Sequence, residues 1–439
     1  MPQATVIGGG LAGTEAAWQL ASRGIDVTLF EMRPVRTTDA HETDRLAELV
    51  CSNSLKSDQH PSASWLLKEE LRRLDSLLMR AASAARVPGG NALTVDRVTF
   101  ADEVTRSIES HPRIDVRREE ITRLDRPGVT IVATGPLTSG ALAGEIARLT
   151  GSERLFFYDS ISPIVDAHTI DRSIVFAASR YDKSLDGTTG DYLNCPFTKQ
   201  EYERFVDALL AAEAAEAHIP DDVPYFEACL PIEEIARRGR DTLRFGPMKP
   251  TGLTDPRTGR WPYAAVQLRQ ENLRADSYNL VGFQNHLRFG EQKRVLRMIP
   301  GLENAEFLRY GQIHRNTYIN APALLDATLH LRANRDIFFA GQISGVEGYV
   351  ESIATGLAAG TIAAAQMLGE APRPFPRETA IGSLCHYISH ADPRHYQPAN
   401  IAFDLFPPLD PNPRDRKERQ TAVCARALEK LEQYRAVYV

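Results

Sequence analysis

A chain of 439 residues, 43% hydrophobic and 25% charged, has the length of two or three domains and the make-up of a folded globular protein. Disordered, collagen-like and coiled-coil classes are thereby excluded. Lys+Arg 51 against Asp+Glu 57 gives a formal net charge of −6, which rules out a uniformly basic coat for nucleic acid but leaves room for a local basic patch.

In chain order, Ala4 to Ile7 is a short apolar, β-branched run that predicts a strand. Gly8-Gly9-Gly10-Leu11-Ala12-Gly13 follows, then a helix-like stretch from Thr14 to Arg23 closed by Gly24. Ile25 to Phe30 predicts a second strand, ending in Glu31. Strand, GxGxxG turn, helix, strand and acid together predict a dinucleotide site. Gly8 permits the tight turn, Gly10 lets the backbone approach a pyrophosphate, and Gly13 lets helix and strand pack closely. Leu11 and Ala12 belong to the turn and are expected at the cofactor with its glycines, and the N-terminus of the helix that follows offers free N–H groups to phosphate. Glu31 can accept from ribose hydroxyls.

Further on, Ile114 to Val116 and Val129 to Val132 predict strands, the second followed by Ala133-Thr134-Gly135. Asp336 to Phe339 is another apolar run, followed by Ala340-Gly341-Gln342, glycines at 345 and 348, and an uncharged stretch from Ser352 to Gly369. That stretch, rich in Ala and Gly, reads as a small-residue helix inside the protein and not as a membrane span. Two-dinucleotide flavoproteins are similar to this arrangement, which favours FAD as the cofactor; Gln342 stands where they usually have Asp. No second GxGxxG follows a strand, so NAD(P)H is expected to bind transiently against the flavin. The expected fold is α/β: a Rossmann-like FAD-binding domain, glutathione-reductase-like, in two parts (1–180 and 301–439), with an inserted α/β domain at 181–300. Within the insertion Lys199 to His218 is helix-like, and Ile219 to Pro224 is an acidic, Pro-broken turn. Pro372, Pro374 and Pro376 mark a linker to a C-terminal segment ending in a charged helix, Arg414 to Tyr434.

Charge is unevenly spread. From Arg237 to Arg297 there are 13 Lys+Arg against 5 Asp+Glu, a net of +8, which leaves −14 for the rest of the chain. Trp261, Tyr263, Phe283 and Phe289 are interleaved with these cations and could stack on bases. The alternative is an Arg-rich solvated surface with internal ion pairs.

The five cysteines, at 51, 195, 229, 385 and 424, form no CxxC pair and no cluster with His at zinc spacing. A metal site is therefore not expected, and the thiols suit a reducing, cytoplasmic setting. The N-terminus shows no secretory leader and enters a folded motif at once. A single cysteine is by default a small buried hydrophobe. Cys51 departs from that default because its loop is rich in Ser and Asn, and Cys229 because it precedes the basic span, where a nearby cation would favour thiolate. Cys195, Cys385 and Cys424 read as structural.

Several blocks resemble one family. They are Gly8 to Ala17, Glu31 to Pro34, Leu49 to Ser57, Phe226 to Glu233, Arg244 to Pro250, His314 to Asn320 and Gly345 to Ser352. The resemblance is to the bacterial folate- and FAD-dependent tRNA uracil-5-methyltransferases, and it runs in order over residues 4 to about 365. It implies that Cys229 is the thiolate that adds to uracil C6, and that Cys51 is a supporting acid, base or guard near the flavin. It implies that 5,10-methylenetetrahydrofolate supplies the carbon, that NAD(P)H supplies the electrons, and that the product is 5-methyluridine in the tRNA T-stem-loop. It places His314 at the folate, Arg33, Asn53, Gly348 and Tyr349 with the cofactor beside the glycines already named, and Arg237, Arg238 and Arg240 on the tRNA backbone. No membrane and no protein partner is implied. Three alternatives stay open. One is a longer, related flavoprotein that modifies the wobble uridine of tRNA. The others are a generic NAD(P)H–flavin oxidoreductase and an RNA-binding protein with a purely structural FAD.

Overall fold

The computed structural model describes residues 3–38, 40–151, 155–183, 190–215 and 230–438. The chain builds two six-stranded sheets of opposite character, each with its own core.

The first sheet is a parallel one in its central five strands. Its spatial order is His330–Leu331, Asn334–Phe339, Thr130–Val132, Gln3–Ile7, Asp26–Glu31 and Ile114–Arg118, with only the His330–Leu331 edge antiparallel. The three innermost strands read as apolar runs because helices cover both faces. Leu11–Ser22 is buried almost all round, as expected of a helix clamped between layers. Its partner is the long helix Tyr349–Met367. A Cβ at Gly356 would overlap the backbone of Ala12, and one at Gly360 the backbone of Ala16, so the glycines in that uncharged run let two helices touch backbone to backbone. No helix among the described residues is long and apolar enough to cross a membrane.

The second sheet is antiparallel throughout, in the order Phe176–Ala177, Tyr192–Phe197, Ala264–Gln270, Ser277–Leu280, Ile164–Asp166 and Phe307–Arg309. Helix Lys199–Leu210 packs on it, opened by a capping box between Thr198 and Glu201. The chain leaves the first unit along Leu155–Ser160 and returns along Ile313–Tyr318, and these two strands pair as an antiparallel ribbon. Ile164 and Arg309 lie outside 181–300, so we place the ends of the inserted unit at this ribbon. The C-terminal helix runs from Arg416 to Tyr438, slightly beyond the expected span. It lies with helix Ala380–His390 on the outside of helix Ala63–Arg73, whose Glu70 carboxylate accepts the backbone N–H groups of Ala380 and Ile381 at 2.6 and 3.0 Å.

Candidate functional site

The glycine turn between Gln3–Ile7 and Leu11–Ser22 is shaped by contacts that a side chain would break. Gly8 has φ +107°, and a Cβ at Gly13 would overlap the Gly8 carbonyl oxygen. Gly10 is different: a Cβ there would meet nothing within 4 Å, because it faces an open cleft. Gly10 caps the helix without any side-chain hydrogen bond, and the first turn holds no acidic residue. The leading N–H groups and the positive end of the helix dipole are thus presented to the cleft.

That cleft, about 990 Å³, is lined by Gly8, Gly10, Leu11, Ala12, Glu31, Arg33, Gly135, Gly341, Gln342 and Tyr349. The arrangement fits a dinucleotide, with backbone cradle, acid and helix terminus converging on one trough. Gly9 and Gly13 lie behind it and serve the turn; Gly9 N–H donates to Glu31 Oε2 at 2.8 Å. Glu31 Oε1 accepts both the backbone N–H and the Nε of Arg33 at 2.9 Å. Burial pushes the Glu31 carboxyl up, but the Arg33 hydrogen bond and charge, with the two N–H donors, outweigh it and hold the group below its ordinary range. Glu31 is therefore ionised, with Oε1 fully used and one lone pair left on Oε2 for a hydroxyl. Arg33 also reaches Glu48 at 3.0 Å, so its guanidinium is spent on carboxylates and orients the site from within. Gln342 lines the cleft and donates to Glu347 Oε2 at 2.6 Å.

Sequence reasoning missed the far wall of the cleft, which comes from loops: Thr38 and His41, Val50, Glu119 to Ile121, and Pro136 to Ser139. No periodicity marks such segments. Val50 brings the neighbouring Cys51 loop to the cleft edge. There Tyr349 OH accepts the backbone N–H of Cys51 at 2.8 Å and of Ser52 at 3.0 Å. Gly348 does not line the cleft; with φ +114° it starts the helix of Tyr349, and a Cβ on it would overlap Glu351 and crowd Lys56, which form an ion pair at 2.7 Å. Asn53 is a correction. It is fully buried, its Nδ2 donates to Val95 O at 3.1 Å and Gln270 O at 2.8 Å, and its Oδ1 accepts from Asn279 at 3.2 Å. All its polar atoms are used in joining the loop to the second sheet, so it does not line the cofactor cleft.

Cys229 lies outside the described residues, as does the turn expected at 219–224. His314 is described in its backbone alone, within Ile313–Tyr318 opposite Asp159. Cys195, Cys385 and Cys424 are buried. Burial pushes all three thiols up, Cys385 and Cys424 to about 12, which makes them poor nucleophiles.

In the basic span the cations are less free than a count implies. Arg237 pairs with Glu234, and Arg240 with Asp207 at 2.6 Å; Arg238 follows directly after helix Ile232–Arg237. Arg257 pairs with Asp255 at 2.9 Å, and Arg244 lies 3.6 Å over the Tyr263 ring. Phe283 is fully buried in the second core, which corrects its expected role as a stacking ring. Trp261 at 55%, Phe289 at 63% and Phe245 at 80% exposed remain on the surface, near the exposed cations Lys249 and Arg260. Among the described residues no group of His, Cys, Asp and Glu could hold a metal ion.

Comparison with known proteins bears on this site. A family model described as glucose inhibited division protein A matches residues 3–371. A protein of Solibacter usitatus (strain Ellin6076) named methylenetetrahydrofolate–tRNA-(uracil-5-)-methyltransferase TrmFO is 70% identical over 440 residues, 99% of either chain. A protein of the same name from Koribacter versatilis (strain Ellin345) is 63% identical, over 97% of this chain and 96% of its own. The crystal structure of Aquifex aeolicus GidA is similar with a TM-score of 0.69 at 18% identity, over 99% of this chain and 75% of that one; this likeness is one of fold.

Proposed function

This chain belongs to the glucose-inhibited division protein A family and, within it, to the TrmFO methyltransferases, and from that premise we propose that it methylates uracil C5 in tRNA with carbon from 5,10-methylenetetrahydrofolate. The observation that carries the reading is the seat of the Cys51 loop. Tyr349 and Val50 both line the dinucleotide cleft, and the Tyr349 hydroxyl holds the N–H groups of Cys51 and Ser52. A thiol-bearing loop is thus fixed at the mouth of a flavin-type cleft.

Uracil C5 becomes nucleophilic once a thiolate has added at C6. In this reading Cys229 is that thiolate, and Cys51 manages protons or guards the site. After C5 has taken the one-carbon unit, loss of the C5 proton expels the thiolate and restores the ring. FAD, when bound, supplies the reducing electrons that bring the carbon to the methyl level, and NAD(P)H replenishes them. The chain's own part is to bind and orient: Gly10 to Ala12 at the pyrophosphate, Glu31 at a ribose, His314 at the pterin. The substrate is the T-stem-loop, reached in the cytoplasm, with Arg237, Arg238 and Arg240 on its phosphates, Arg237 and Arg240 giving up Glu234 and Asp207 to do so.

The test is direct. Purified holoprotein is expected to methylate an unmodified T-stem-loop only when methylenetetrahydrofolate and NAD(P)H are both present. Methylation driven by S-adenosylmethionine in their absence would overturn the reading, and modification of the anticodon arm instead would favour the wobble-uridine alternative. A second expectation concerns docking. Reversing Lys249 and Arg260 to Glu should weaken T-arm binding and lower the slope of log affinity against log salt by about 1.5 to 2. An unchanged slope would remove this face from the RNA contact.

A further inference from the structure

The Cys51 loop is gripped by guanidinium groups from three elements far apart in sequence. Arg97, opening helix Arg97–Glu109, donates to Leu49 O at 2.8 Å and to Cys51 O at 3.4 Å. Arg309, ending strand Phe307–Arg309, donates to Val50 O at 3.3 Å. Arg269, in strand Ala264–Gln270, donates to Ser52 Oγ at 2.7 Å. Four consecutive residues are therefore ringed by three cations, two of which come from the second sheet.

Their counter-charges are unequal. Glu271 forks onto Arg97, with Nε–Oε2 at 2.6 Å and Nη2–Oε1 at 3.2 Å. Arg309 has Glu42 at 3.4 Å. Among the described residues no carboxylate touches Arg269: besides Ser52 it donates to Asn279 Oδ1 at 3.3 Å, and its buried Nε finds no acceptor there. The other ionisable groups near the loop are already engaged. Lys56 pairs with Glu351, and Glu48 with Arg33. Asp96 accepts the N–H groups of Thr99 and Leu273 at 2.9 Å, and Tyr349 OH accepts from Cys51 and Ser52. Tyr192, on the strand beside Arg269, has its hydroxyl donating to Gly89 O at 2.8 Å. Arg269 and Arg97 thus share the single carboxylate of Glu271, which of the two touches only Arg97; a surplus positive charge in the interior is costly, and the thiol on this loop is a group that can offset it.

We propose that Arg269, aided by Arg97, holds Cys51 as a thiolate and so sets the acidity of that thiol, as a positioning residue acting through the loop. Burial pushes the Arg269 guanidinium down from its ordinary value, while the charges of Glu271, Tyr192 and Cys51 pull it back up; Arg97 feels Cys51 in the same sense. Because Arg269 belongs to the second sheet, the state of the thiol is tied to the seating of the inserted unit on the cofactor domain.

The experiment reads thiol acidity and not turnover, so its failure is separable from failure of the methyltransfer reading. In holoprotein carrying Cys229→Ala, alkylation of Cys51 by iodoacetamide is followed against pH by mass spectrometry. The rate is expected to rise with an inflection at about pH 7 or lower, against about 8.5 for an ordinary cysteine. Arg269→Gln should move the inflection up by a unit or more and slow alkylation at pH 7 about 10-fold, whereas Arg269→Lys should keep it low. Flavin absorbance and thermal melting check that each variant is folded. An inflection at or above 8.5 in the Cys229→Ala parent, which needs no Arg269 variant to fold, overturns the proposal. So does an inflection that Arg269→Gln leaves in place.

Discussion

Gly13→Val is expected to give a protein that purifies without its yellow colour. The Cβ of any residue at this position would overlap the carbonyl oxygen of Gly8, and that oxygen belongs to backbone fixed in the centre of the parallel sheet by Gly8 N–H on Phe30 O at 2.8 Å. Neither side can give, because the helix is held from behind by Gly356, packed on Ala12. Overpacking of this kind costs about 1–3 kcal/mol even where side chains can shift, and here a helix must move off its strand. The displaced helix start no longer aims its N–H groups at the cleft. The ratio of flavin to protein absorbance should fall to near zero, and added FAD should no longer raise the melting temperature as ligand linkage requires of the parent. A variant that retains stoichiometric flavin would show that the turn does not carry the pyrophosphate.

What the sequence made legible follows from the range of the forces involved. Strand, turn, helix and acid from Gln3 to Glu31 rest on contacts within about thirty residues, and hydrophobic periodicity reports those directly. The Asn53 side chain shows the opposite case. Its partners Gln270 and Asn279 are 217 and 226 residues away, and nothing local distinguishes it from a cofactor ligand in a polar loop. The arginines on the Cys51 loop are hidden for the same reason, at separations of 46, 217 and 259 residues. Net charge misleads in a related way. A sum treats every cation alike, whereas Arg269 is buried, Arg257 and Arg240 are paired, and Arg244 lies on an aromatic ring. The surplus of +8 marks a region, but exposure decides which of its members can meet a phosphate. Phe283 failed as a stacking ring because an aromatic spaced among cations is equally well a core residue of an antiparallel sheet.

Cys229→Ser is expected to abolish methyl transfer while FAD stays bound. Among the described residues the dinucleotide cleft is lined by the first unit and its loops, and loss of a single thiol for a hydroxyl removes none of those groups. A serine hydroxyl at its ordinary acidity cannot replace a thiolate in adding to C6, and the loss should be about 1,000-fold or more in turnover. Three of the remaining thiols cannot substitute for it. Cys195, Cys385 and Cys424 are buried, and burial raises their pKa to where a thiolate does not form near neutral pH. Among the described cysteines only Cys51 is half-buried rather than buried, and its loop lies beside the cleft. A T-arm carrying 5-fluorouridine separates the two candidates, because fluorine at C5 cannot leave as a proton does and an adduct at C6 therefore persists. The parent and the Cys51→Ser variant should both retain RNA on a denaturing gel, and Cys229→Ser should not. Full activity in Cys229→Ser, or an adduct that disappears only with Cys51→Ser, would transfer the nucleophile to Cys51. The thiolate held there by Arg269 would then be the reacting group itself.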